Sequence, residues 1–427
     1  MLTLIAAMMI APRWELTFEQ NFDGPSGQAP DPKVWTRDLG ADGWGNAEWQ
    51  EYTDGNRNAF LDGKGNLVIE ARKEAGEKKF TSARLNTRGK FTQAYGRFEA
   101  RLKMPVGKGI WPAFWMLGDN DMEVGWPGCG EIDIMEYLGH QPKTVHGTVH
   151  GPGYSGAGGI GKSADSATPL NEGFHVYAIE WEPERIRWFF DDKVYHTLTP
   201  DDLGAREWVF DHAHFLILNL AVGGGWPGYP DETTAFPQRY LVDYVRVYKD
   251  ANLVVDAEGI AKRRAERLRK HTDFKGAPVV ALPGTVHAVD YAEGRYKDLD
   301  RFNQGGLYRP ADGVDISLSG LESPKYSVGW IGAGEWLGYR VKVAKAARHT
   351  VEFEVASGGE GGFFHLEIEG KDATGPIKVP DTGGWNKWKA VRKEGVEFPA
   401  GSYEIKVVFD KDGETGGVGN FSLLRVK

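Results

Sequence analysis

Three acidic residues stand inside the short apolar run Gly130-Glu131-Ile132-Asp133-Ile134-Met135-Glu136. Burying one ionised carboxylate is expensive, and three close together repel one another. Carboxylates kept in such a setting suit nucleophilic or acid–base chemistry, or the binding of a metal ion. The spacing predicts a strand with Glu131 and Asp133 on one face, because side chains alternate along a strand. Glu136, five residues beyond Glu131, falls on the opposite face unless one extra residue intervenes. A β-bulge between Asp133 and Glu136 would turn it back onto the face of the other two.

Paired carboxylates support glycoside hydrolysis. When they lie about 5–5.5 Å apart, one attacks the anomeric carbon and the other protonates the leaving oxygen, with retention of configuration. Glu131 and Glu136 are the candidate pair. Asp133 would hydrogen-bond a neighbouring carboxylate, and its charge would raise the pKa of the group that must stay protonated. Two other readings stand beside this one. Three carboxylates can chelate calcium, although calcium sites favour loops rich in Asp, Asn and Gly. The acids could also face solvent from a strand that buries Ile132, Ile134 and Met135. The surroundings favour sugar chemistry: Trp111, Trp115 and Trp126 bracket the acids, and His146-Gly-Thr-Val-His150 follows. Aromatic faces stack on the C–H surfaces of sugar rings while their edges tolerate water.

The elements that must hold these residues read as strands. From Trp14 to Tyr248 short β-like runs alternate with Gly, Pro, Asn and Asp turns, as in Asn66-Leu-Val-Ile-Glu-Ala and Phe215-Leu-Ile-Leu-Asn-Leu-Ala-Val. Many short strands without interleaved helices imply an all-β antiparallel sandwich or jelly roll. Residues 250–275 are rich in Lys and Arg with Glu interspersed, and read as a charged linker that can be helical. Strand patterning resumes from about 276 to 427, as in Thr350-Val-Glu-Phe-Glu-Val-Ala, and predicts a second, smaller β-sandwich.

The 427 residues are too many for one ordinary core, which agrees with two domains. The 57 Gly favour turns, and the 15 Trp exceed what a core needs, leaving aromatics for flat polar ligands. A net charge of −9 argues against nucleic acid and anionic membranes as partners. The single cysteine, Cys129, excludes an internal disulfide or a thiolate metal cluster. The apolar residues 1–11 are too few to span a bilayer and are similar to the apolar core of an export signal, within a segment 1–13 that precedes the first strand.

Several stretches of residues 14–249 resemble glycoside hydrolase family 16, and within it the laminarinase-like β-1,3-glucanases. They include Gly43-Trp-Gly-Asn-Ala-Glu, Ser82-Ala-Arg-Leu-Asn-Thr, Tyr95-Gly-Arg-Phe-Glu-Ala-Arg, Trp111–Leu117, Gly130–Gly139, His146–Tyr154, Ala221-Val-Gly-Gly-Gly-Trp-Pro-Gly and Val242-Asp-Tyr-Val-Arg-Val-Tyr. The resemblance implies a jelly roll with a cleft across its concave face, Glu131 as nucleophile, Glu136 as general acid/base and Asp133 as assisting acid. It implies a cleft lined by Asn46, Arg84, Trp111, Trp115, Trp126, His150 and Trp226. It also implies no cofactor for catalysis, but a structural calcium held by backbone oxygens of Asn21 and Gly65 and by the Asp243 carboxylate.

The C-terminal part resembles carbohydrate-binding module family 6 in Tyr326–Tyr339, Val355-Ala-Ser-Gly-Gly and Pro380-Asp-Thr-Gly-Gly-Trp-Asn-Lys-Trp. The resemblance implies sugar binding by Tyr308, Trp385 and Asn420, with Trp330 and Trp336 in the core. Where the family carries calcium-binding acids this chain has His287-Ala288-Val289-Asp290, so that module's calcium lacks its carboxylates. The expectation is a secreted, monomeric, endo-acting and retaining β-1,3-glucanase with an appended sugar-binding domain. The alternatives are the same catalyst on mixed-linked glucan, agarose or carrageenan, a transglycosylase, and a lectin-like protein without catalysis.

Overall fold

In a computed structural model, residues 11–427 are described apart from 77–78, 205, 272–273, 275, 300–301 and 310–311. Most of the apolar segment read as an export signal therefore lies outside the described residues. The chain divides into two compact units, one drawn mainly from the residues before Ala261 and one mainly from Lys262–Lys427.

Two sheets form the first unit. One has seven antiparallel strands: β1 Thr36–Asp38, β2 Arg84–Asn86, β3 Ile110–Gly118, β4 Glu131–Tyr137, β5 Thr144–His150, β6 Ile160–Asp165 and β7 His214–Val222. Their order across the sheet is β6-β5-β4-β3-β7-β2-β1. Such non-sequential neighbours are how a jelly roll closes its edges over a single core. The second sheet has ten strands, among them Gly96–Lys103, His175–Glu182, Arg185–Phe190, Lys193–Leu198 and Gln238–Asp250.

Strand β5 shows why these residues form this element. Thr144, His146, Thr148 and His150 are half-buried, and Val145, Gly147 and Val149 are buried. This period of two puts the apolar positions against the core and the polar ones on the open face. Between the sheets lie the large buried side chains Trp181, Trp188, Tyr137, Tyr177, Phe98 and Phe114.

The charged stretch 250–275 is helical over Ala257–His271. The second unit is a β-sandwich of a seven-stranded and a six-stranded sheet. Its core includes Val286, Tyr339, Phe353, Phe364, Val407 and Leu424. The all-β expectation holds for both units.

Candidate active site

Strand β4 carries the acids, and its register contains the extra residue that the spacing requires. Toward β5, Asp133 pairs with Thr148 and Glu136 with His146. Two residues, Ile134 and Met135, therefore oppose Gly147 alone. Toward β3, Asp133 pairs with Trp115 and Met135 with Phe114, so Ile134 is the residue without a counterpart. The bulge resets the alternation by one place. Ile132, Ile134, Met135 and Tyr137 enter the core, while Glu131, Asp133 and Glu136 line up with His150, Thr148 and His146 on the open face. The reading of these acids as a solvent-facing strand is overturned: Asp133 is 3% exposed and Glu136 8%.

Each acid has a different set of partners. Glu131 Oε2 accepts a hydrogen bond of 2.6 Å from the Trp126 indole N–H, a donor facing its negative charge. Glu136 accepts from Trp111 Nε1 at 3.2 Å and from the Thr148 hydroxyl at 3.4 Å. Asp133 Oδ2 lies 3.2 Å from His150 Nε2, which is 4.0 Å from Glu131 Oε1. Burial pushes the pKa of Asp133 well above the carboxylate range, and the charge and hydrogen bond of Glu131 push it further. Burial also raises Glu136 well above its ordinary value, assisted by the charges of Asp133 and Glu131 and opposed by His150 and the Trp111 hydrogen bond. One face thus offers a carboxylate with a charge-facing donor, a buried acid that retains its proton to higher pH, and a third acid bonded to the first. That is the equipment of a two-carboxylate glycosidase.

Glu131, Asp133 and His150 also present ligand atoms within 4.8 Å of one another. Calcium seeks six to eight oxygens. A set of two carboxylates and one imidazole does not fit that need, so the calcium reading of the acid run is unsuited to this geometry.

The rest of the expected cleft assembles on the same face. Trp111 meets Trp226 edge-on at 5.5 Å, and Trp226 in turn meets His146 at 5.0 Å. Trp126 is 51% exposed and its ring lies 6.3 Å from that of His150. Trp115 donates to Asn219 Oδ1 at 2.7 Å. Arg84 lies over Trp115 at 4.7 Å and over Trp44 at 4.8 Å, and donates to Asp38 at 2.9 Å. Asn46 is exposed in a loop whose carbonyl accepts from Gly225 N–H, next to Trp226. Its amide donates to Glu48.

Sequence reasoning missed Trp44, Glu48, His146, Thr148 and Asn219. Glu48 accepts from Gln50, Asn46 and Tyr52, and burial raises its pKa. The period-two run Glu48, Gln50, Tyr52 carried a signal for it. The role of Asn219 had none, because it comes from cross-strand pairing with Ala113 and Arg84.

The three expected calcium positions flank one stretch of strand Gln238–Asp250. Strand Trp14–Gln20 ends against Val245, strand Leu67–Lys73 begins against Val242, and Asp243 sits between them at a bulge. Two carbonyls and a carboxylate are oxygen donors that suit calcium. The Asp243 carboxylate pairs with Arg101, however, and Asn21 Oδ1 accepts from Arg246 at 3.1 Å. A cation there would displace Arg101.

In the second unit, Trp385 is exposed and Asn420 donates to its carbonyl at 2.8 Å. Asn420 Oδ1 would lie 3.1 Å from a Cβ placed on Gly329, which leads into Trp330. Trp330 is 61% exposed, so its assignment to the core is corrected. Its φ of +51° turns the residue away from the alternation of the preceding strand Tyr326–Val328. Trp336 is not in the core either. It is half-buried on the sheet's outer face, beneath Lys406 at 4.6 Å and Arg295 at 5.9 Å. Tyr308 is half-buried: its ring lies 5.0 Å from Tyr326 and its hydroxyl donates to Asp290 at 3.1 Å.

Residues 46–246 match glycosyl hydrolases family 16, and residues 307–426 match carbohydrate binding module (family 6). The chain is 48% identical to a beta-glucanase of Rhodothermus marinus over 249 residues, 56% of this chain and 86% of that protein. It is 38% identical to a glucan endo-1,3-beta-glucosidase of Cryptopygus antarcticus over 256 residues, 55% of this chain and 91% of that one. It superposes with a TM-score of 0.53 and 51% identity on the catalytic domain of an endo-1,3-beta-glucanase (laminarinase) from Thermotoga petrophila RKU-1. That likeness covers 56% of this chain and 100% of the other. The chain therefore belongs to glycosyl hydrolase family 16.

The raised pKa of Glu136 has a consequence for stability. The folded state binds this proton more tightly than the unfolded chain, so stability falls as pH rises from the ordinary carboxylate pKa toward the folded one. Glu136→Gln removes the charge that burial penalises. Its melting temperature at pH 7 is expected to exceed that of the wild type by about 2 °C or more. The gain should vanish below pH ~4, where the carboxyl is protonated in both states. Melting curves at the two pH values check this, and an unchanged or lower value at pH 7 contradicts it.

Proposed function

We propose that this chain hydrolyses β-1,3-glucan internally and with retention of configuration, and that its second module holds the polymer. The observation that carries this reading is the bulge that gathers Glu131, Asp133 and Glu136 onto one face. The likeness to glucan-hydrolysing relatives supports the substrate.

In the first step a Glu131 oxygen bonds to the anomeric carbon, the glycosidic C–O bond breaks, and Glu136 gives its proton to the leaving oxygen. In the second, Glu136 takes a proton from water. The water oxygen bonds to the anomeric carbon and the bond to Glu131 breaks. Asp133, protonated through its burial, hydrogen-bonds Glu131. Trp111, Trp226 and Trp126 supply the faces on which sugar rings stack. A substrate too large to cross a membrane supports export, and residues 1–11 are the segment that would direct it.

Reducing-sugar release across a panel of laminarin, mixed-linked glucan, agarose and carrageenan tests the substrate. Laminarin is expected to be cut fastest, and preference for a galactan would overturn the assignment. Glu131→Gln is expected to keep the fold by circular dichroism and lose at least about 10⁴-fold in kcat, the scale on which loss of a covalent nucleophile is felt. Near-normal turnover would sink the mechanism.

For the second module, the exposed Trp330 joins Tyr308, Trp385 and Asn420 in the sugar platform. Trp330→Ala and Trp385→Ala should each weaken pull-down by insoluble β-1,3-glucan while leaving hydrolysis of soluble laminarin unchanged. Retention equal to that of the wild type would remove the residue from the platform. At the Asn21–Gly65–Asp243 junction we propose a structural calcium. Calcium should raise the melting temperature of the wild type but not of Asp243→Asn, and an equal response from both forms would exclude the site.

A further inference from the structure

The bulge in β4 faces a second element that lies across the core. Gly147 is the residue of β5 that faces both Ile134 and Met135. Its backbone needs no left-handed conformation, so glycine is required there for space. A Cβ at Gly147 would stand 2.4 Å from Trp188 Cδ1 and 2.5 Å from the Tyr195 hydroxyl. Both side chains come from the opposite sheet, on the hairpin of Arg185–Phe190 and Lys193–Leu198. This hairpin has a bulge of its own. Trp188 pairs with His196 and Phe189 with Val194, which leaves Tyr195 as the extra residue.

Trp188 is fully buried, and its ring stacks on His196 at 4.7 Å. Its indole N–H donates 2.8 Å to the carbonyl of Asp133, the last residue of β4 before the bulge. The Tyr195 hydroxyl is buried with no protein partner among the described residues. Two bulges therefore face each other across the sandwich, with the indole bonded to the one that positions the acids.

We propose that Trp188 and Tyr195 are positioning residues for catalysis: both pack against Gly147, Trp188 alone bonds the Asp133 carbonyl, and together they hold the one-residue bulge that turns Glu136 into the cleft. A buried N–H donor to that carbonyl opposes the competing register, in which β4 would pair evenly with β5 and Glu136 would point inward. The slip is otherwise only one residue, and a one-residue slip changes the face of every later side chain. The proposal rests on the hydrolytic reading of the acid cluster, but it makes a structural claim that can be read separately.

The principal variant is Trp188→Phe, which keeps an aromatic ring in the core and removes the N–H. On laminarin oligosaccharides kcat is expected to fall about 10–100-fold, with KM changed by less than about threefold, because a small misplacement of the acid harms the chemical step rather than binding. A dinitrophenyl glycoside, whose leaving group needs no proton, should form the glycosyl-enzyme at close to the wild-type rate. Tyr177→Phe, which removes a buried hydroxyl from the same core, should leave both rates unchanged. Wild-type kcat in Trp188→Phe, or an equal loss on both substrates, overturns the proposal. A crystal structure of Trp188→Phe reads the register without activity. Glu136 shifted from its place opposite His146, or disordered in this strand, supports the proposal, and an unaltered bulge overturns it. Inactivity of the wild type on every glucan would strike the hydrolytic reading alone, and the register would still decide this one.

Discussion

One residue out of phase governs the catalytic unit. Strand β4 must bury apolar side chains and present three carboxyls, and strict alternation cannot do both with this order of residues. Without the bulge, Glu136 would enter the core and Met135 would face the cleft. Placing Ile134 as the extra residue satisfies both demands, since Ile132, Ile134, Met135 and Tyr137 are buried together and the acids share the other face. The neighbouring strands are shaped to this irregularity. Gly147 stands where two residues oppose one, and the Asp133 carbonyl beside it takes its hydrogen bond from Trp188 in the other sheet.

Once the acids share a face, their surroundings sort them into roles. All three belong to one charged cluster, but their burial and donors differ. Glu131 meets the indole N–H of a half-exposed tryptophan. Asp133 and Glu136 are withdrawn from water, and burial is the main cause that raises both. A carboxyl that keeps its proton can serve as an acid, while a carboxylate faced by a donor can serve as a nucleophile. The same tryptophans that would stack on sugar rings donate to the acids, Trp111 to Glu136 and Trp126 to Glu131.

The second module reaches sugar-binding chemistry by a different route. Its candidate aromatics stand at strand ends, Trp330 just after one strand and Trp385 at the start of another. Asn420, at the start of the last strand, donates to the Trp385 carbonyl and lies beside Gly329, which precedes Trp330. Recognition by stacking and neutral hydrogen bonds needs no buried charge.

Much of this was legible in the residues. The alternation of short runs between turns indicated two β-sandwiches, and the acid run indicated both the chemistry and the phase error that a bulge must correct. Trp330 misled, because an aromatic inside Gly-Trp-Ile-Gly has no periodicity from which to infer exposure, and a left-handed backbone at that residue turned it outward. The hydrogen-bond partner of Tyr308, Asp290, lies 18 residues away, and only the fold joins them. By itself, then, the sequence determined the architecture, the identity of the three acids and the need for one extra residue, because these depend on residue type and local period. Only the tertiary structure decided which residue is extra, which acids are buried, and that Trp188, Asn219, Thr148 and His146 surround them. Those outcomes arise from cross-strand register and from sheet-on-sheet packing, which bring together residues that no local pattern relates.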